Sequence, residues 1–225
     1  MRRLFIIVPL VVIALYSALY LYGLFQLKRA RQLVGAVTQL RVGSLNPNCP
    51  FGASRFALHC TPDQRCYVWI SNLPFVELWD RRGLHVPQLF PWGWWDVVGQ
   101  LGFDSAGKVT DKELGIDNGQ YHQFGMVGIS MREDAALDDP CHHPAIALHP
   151  GYFPHREMRT GALIVDLSPN AAQTFIDRAF DIHLDCLNTV KGCKTPEGVA
   201  PSAWNDIYST KDASFDSGKC KMTIR

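Results

Sequence analysis

From Leu4 to Phe25 the chain reads LFIIVPLVVIALYSALYLYGLF, 22 residues without a charged side chain. At about 1.5 Å per residue a helix of this length crosses a hydrocarbon core of about 30 Å. The core helix of a soluble protein keeps a polar face, and this stretch has none. Pro9 lies in the first turns, and Tyr16, Tyr20 and Tyr22 lie near the far end, where a phenol reaches the headgroup layer. A cleavable signal peptide fits less well, because it has an apolar core of about 7–15 residues followed by a small-residue cleavage site. Cys49 is too far from the span to be a lipid-anchored cysteine. The sequence therefore predicts a tether in the lipid bilayer through residues 4–25, with 1–27 as a stub and transmembrane anchor.

Which side of the membrane holds the remainder is contested by two signals. Arg2 and Arg3 precede the span while Lys28, Arg29, Arg31 and Arg41 follow it, and a count of positive charges would keep the large part cytoplasmic. The seven cysteines, at 49, 60, 66, 141, 186, 193 and 220, all follow the span, and that density points to disulfides in an oxidising compartment. Long polar domains are translocated largely irrespective of flanking charge, so the cysteines decide. The expected location is extracytoplasmic, on the periplasmic side of the inner membrane. Residues 1–41 hold six Lys or Arg and no acid, leaving 16 basic against 21 acidic residues beyond them. That balance disfavours a nucleic-acid partner, whose phosphates call for a basic surface, and none is expected. The basic segment reads as attraction to anionic lipid.

Beyond the anchor, Leu33, Val37 and Leu40 recur at helical spacing, so 28–48 reads as a juxtamembrane helix and linker that stops at Gly43, Ser44 and the NPNCP cluster. Residues 49–225 read as one α+β domain, a curved antiparallel sheet with one or two packed helices. RFALHC and CYVWIS flank TPDQR as a hairpin, with Cys60 and Cys66 at its ends. Opposed strand positions bring side chains to about 4.5–5.5 Å, near the range of a disulfide. DVVGQLGFD and VTDKELGI form a second hairpin around SAGK, and YHQFGMVGISMRE and GALIVDL supply further strands. Trp92, Trp94 and Trp95 fit core packing better than a binding platform. A helix is predicted over SPNAAQTFIDRAFDIHLDCL, with Ser168 as N-cap and Pro169 at the first helical position. Cys186 and Cys193 flank LNTVKG as a small clasp, and APSAWNDIY forms a short last helix.

The densest group of reactive side chains is CHHPAIALHPGYFPH, from Cys141 to His155. Zinc takes about four Cys or His ligands at spacings that let a turn or helix converge. Cys141, His143, His149 and His155 have the right chemistry for a metal-dependent envelope enzyme, but His142 and His143 alternate in direction, three prolines stiffen the segment, and no H-E-x-x-H or C-x-x-C occurs. The segment is therefore read as a solvated loop. Glu133, Asp134, Asp138 and Asp139 lack the EF-hand order for calcium. No G-x-S-x-G, P-loop or dinucleotide motif is present. No cofactor and no catalytic residue is predicted. An odd count of cysteines leaves at least one without an intramolecular partner.

The segments QLRVG, CTPDQRCYVWISN, LHPGY, FDIHLDCLNTVKGC and PSAWNDI together resemble a group of uncharacterised bacterial single-span membrane proteins. The resemblance implies an extracytoplasmic domain with structural cysteines, and it transfers no catalytic residue. The expected role is non-catalytic binding or scaffolding at the cell envelope, with an envelope protein as a candidate partner.

Overall fold

The computed structural model describes residues 2–45, 59–62, 64–74, 93–118, 127–132, 152–157, 162–209, 216–217 and 220–221. A single unbroken helix, α1 (Arg2–Gln39), opens the chain. Its two halves have different surroundings. Ile6 through Leu15 lie exposed on every face, as do Leu21, Leu24 and Phe25. From Leu27 onward the apolar residues fall on one stripe, and Leu27, Ala30, Leu33, Val34, Val37 and Leu40 are buried. That i, i+3, i+4, i+7 spacing is what a helix needs to lie on a flat apolar surface. The segments read as anchor and juxtamembrane helix are thus one rod, and its second half belongs to the core of the domain.

The surface it lies on is a seven-stranded sheet in the order β1-β2-β3-β4-β5-β7-β6. The strands are β1 (His59–Cys60), β2 (Arg65–Ser71), β3 (Trp95–Phe103), β4 (Val109–Asn118), β5 (Val127–Arg132), β6 (Tyr152–Glu157) and β7 (Ala162–Leu167). β1 to β5 form an antiparallel meander, as the turn chemistry predicts. In the turn between β3 and β4, the Asp104 carboxylate accepts the Ala106 and Lys108 backbone N–H groups, and Gly107 takes φ +80°.

The sheet is mixed, which corrects the expected wholly antiparallel arrangement: β7 runs parallel to β5. Period-two patterning identifies a strand but carries no information about its neighbour. The chain leaves β5, runs back as β6 at the edge and returns as β7 between them, so β7 runs in the direction of β5. Both strands in the parallel pair are rich in buried positions, the usual state of strands covered on two faces. β6 also revises the reading of 141–155 as loop throughout, because Tyr152 to His155 lie in a strand. Pro154 is tolerated there because an edge strand leaves one row of N–H groups unused.

The long helix predicted from Ser168 is shorter in the structure. α2 (Gln173–Ala179) starts after Ala172. The Ser168 hydroxyl instead accepts the Asn170 N–H in a local turn, a known competitor of helix initiation by serine. Past Phe180 the chain turns through the clasp to a 3-10 turn (Pro196–Gly198) and α3 (Pro201–Ser209). An Arg178–Asp206 ion pair and a Ser202 hydroxyl donated to Asp181 join α2 and its following turn to α3. A two-stranded ribbon, β8 (Asp216–Ser217) with β9 (Cys220–Lys221), completes the described chain. Architecture is therefore α+β.

Two residues make the joint between α1 and the sheet. At Gly99 a Cβ would stand 2.9 Å from Leu33 Cδ1 and 3.2 Å from Val37 Cγ2, so the missing side chain is what lets the helix lie this close. Lys112 is 1 % exposed, and its ammonium donates to the Val37, Thr38 and Leu40 carbonyls at 3.0, 3.2 and 2.8 Å. Those acceptors are the orphan carbonyls of the helix end, where the backbone dipole is negative. The same ammonium sits 4.4 Å from the centre of the Phe180 ring. Burial pushes its pKa down to about 8, which still leaves it protonated at neutral pH.

Candidate functional site

Alternation along the strands divides the sheet into two faces. One carries Val68, Ile70, Val97, Leu101, Leu114, Ile116, Ile129 and Val165 against the helices. The other is polar and half-buried at its centre. In register across it run Ser71, Asp96 and Asp117; then Trp69, Val98, Gly115, Gly128 and Ile164; then Tyr67, Gln100, Glu113, Ser130 and Asp166. The middle row has backbone for a floor, since a Cβ on Gly115 would meet only Val98 Cβ, at 3.9 Å. The Ser130 hydroxyl donates to Asp166 at 2.6 Å, and Arg132 stands 3.8 Å from Glu113.

Asp96 and Asp117 face each other as direct cross-strand partners. Burial first, and the Asp117 charge second, push the Asp96 carboxyl up to about 7. The Trp69 indole is near enough to offset part of this but does not meet hydrogen-bond geometry. Burial also raises Asp117, against a hydrogen bond from the Asn118 backbone. Both carboxyls therefore hold their protons to higher pH than in water, Asp96 into the neutral range. Such a face can bind a polar or cationic group. Among the described residues no three His, Cys, Asp or Glu side chains converge as metal ligands.

The residues singled out by sequence fall as follows. Cys60 and Cys66 stand opposite each other in the β1–β2 register, bonded, with Cα atoms 4.0 Å apart. Cys186 and Cys193 are bonded with Cα atoms 4.9 Å apart. Cys141, His143 and His149 lie outside the described residues, as do Trp92 and the acidic run 133–139. His155 lies on β6 opposite Ile164, at the register of the Trp69 row. Trp95 is 1 % exposed in the core. The Asp96–Asp117 pair and Lys112 were not anticipated. The pair was reachable, because a hairpin centred on SAGK sets DVVGQ against GIDN and brings the two acids together. Lys112 was not, because nothing local marks a lysine that caps a helix more than 70 residues away.

Compared with protein-family models, curated proteins and solved structures, the chain finds no match. Among the described residues α1 is the one helix long and apolar enough to cross a membrane, and it lies at the N-terminus.

Proposed function

We propose that the chain is a single-pass membrane protein whose α+β domain binds or scaffolds a partner at the extracytoplasmic face, the periplasmic side of a bacterial inner membrane. The observation that carries this reading is the continuity of α1. The same helix is exposed and apolar over its first half and buried in the domain core over its second. Water does not favour so long an apolar surface, and lipid does. Two bonded cysteine pairs support the oxidising side. The row of carboxylates, hydroxyls and amides across the second sheet face supports binding of a polar or cationic group.

An impermeant maleimide applied to intact cells tests sidedness and pairing together. Labelling should rise several-fold after a membrane-permeant reductant, with the chain retained in carbonate-washed membranes. Thiols that label only after cell lysis, without reductant, would place the domain in the cytosol and end this reading.

A further inference from the structure

The clasp between Cys186 and Cys193 runs beside α1, and two contacts fix its direction. Asp185 pairs with Arg31, and Asn188 packs on Gly23, where a methyl group would collide with the Asn188 amide. Eight residues of helix separate these points, so the loop descends about 12 Å along α1 toward its apolar half. Asn188 is 2 % exposed, takes φ +60°, and finds no hydrogen-bond partner for its amide. Inside the loop the Thr189 hydroxyl donates to the Cys186 carbonyl at 2.8 Å, and the Gly192 N–H donates to the Thr189 carbonyl at 3.0 Å. The disulfide and these bonds hold the tip in one shape. The tip presents Val190, 74 % exposed, beside Lys191, with Lys194 just past the bridge. At the same level α1 exposes Leu21, Leu24, Phe25 and Lys28.

We infer that the clasp is a second membrane contact, with Val190 seated at the boundary of headgroups and acyl chains and Lys191 and Lys194 against anionic phospholipid headgroups. This rests on the anchor reading above. Gly23 lies in the last turn of the uncharged stretch, so a bilayer that takes up Leu4–Phe25 has its surface where the tip ends. An exposed valine next to lysines is the composition of an interfacial contact, apolar below and cationic above. The nearest carboxylate on the loop, Asp185, is occupied by Arg31. The opposite end of the sheet provides a reference point: Gly43, just past the C-terminal end of α1, donates to the Val109 carbonyl, so the Ala106 turn lies far from the span, while Asn118 at the near end donates to the Cys193 carbonyl.

The full chain, reconstituted into vesicles of phosphatidylcholine alone or mixed with phosphatidylglycerol, tests this with acyl chains brominated near the headgroup. Tryptophan emission of Val190→Trp and Ala106→Trp is read as the difference from the parent chain. Val190→Trp should be blue-shifted and quenched, more strongly in the mixed vesicles, and the extra quenching should vanish when Lys191→Gln and Lys194→Gln are added. Ala106→Trp should be unquenched. If Val190→Trp is as unquenched as Ala106→Trp while the chain still floats with the vesicles, the clasp contact is overturned and the anchor stands. Quenching that is equal in both lipid mixtures and indifferent to the lysines overturns the anionic partner. A chain that does not float overturns the anchor and the clasp contact together.

Discussion

Asp96 shows how one side chain on the polar face ties stability to pH. Its carboxyl titrates near 3.8 in a solvated chain and near 7 in the fold, so the folded state holds an extra proton between those values. Stability contributed by the protonated form is complete below about pH 4 and is lost as pH rises through 7. Removing the charge should therefore help only on the alkaline side. Asp96→Asn should raise unfolding free energy at pH 8 by about 2 kcal/mol, roughly half of what full burial of the charge would imply, because the site is partly solvated. At pH 4 it should leave stability within about 0.5 kcal/mol of the parent. Urea unfolding of the detergent-solubilised chain at the two pH values measures this. An equal gain at both would mean that the amide repacks the site and that the charge is irrelevant.

At the scale of elements the joint between α1 and β4 carries the most consequence. Lys112 satisfies three carbonyls at once, and Lys112→Met would keep the aliphatic stem while orphaning them. Buried ammonium groups are expensive, so an apolar replacement is sometimes neutral. Here the acceptors remain buried after the change, and the loss of hydrogen bonds to a charged donor, about 1.5–3 kcal/mol each before relaxation, outweighs the relief. The variant should lose about 2 kcal/mol and about 4–8 °C in Tm by calorimetry. An unchanged Tm would show that desolvating the ammonium costs as much as its bonds return. This joint also marks how far the sequence could be read. The long apolar N-terminal helix, the two hairpins, the cysteine pairs flanking TPDQR and LNTVKG, and the final helix are local signals, and each stands where its residues place it. What the pattern did not carry was non-local: β7 beside β5, the Lys112 cap, and the Asn188–Gly23 contact. The missed start of α2 was local but ambiguous, since serine serves a turn and an N-cap with the same hydroxyl.

For the whole molecule the division between anchor and domain does not follow the division between helix and sheet. Leu27, Leu33, Val34, Val37 and Leu40 are all buried in the core shared with the sheet, Leu33 and Val37 directly over Gly99. At about 1.5–3 kcal/mol for each buried aliphatic side chain their contribution is on the order of 10 kcal/mol. That is comparable with the whole stability of an ordinary domain, about 5–15 kcal/mol. The upper half of α1 is thus a required core element that also passes into the proposed span, so domain and anchor should tilt together as one body. Two truncations separate these roles. A chain starting at Gln26 keeps the stripe and loses the exposed apolar half, and it should be soluble, monomeric and cooperatively folded. A chain starting at Val42 loses the stripe and strands Lys112 without its carbonyls, and it should show no cooperative melt and should bind an apolar dye. Cooperative folding of the shorter chain would show that the sheet and α2–α3 form a complete core alone, and that α1 is merely attached to it.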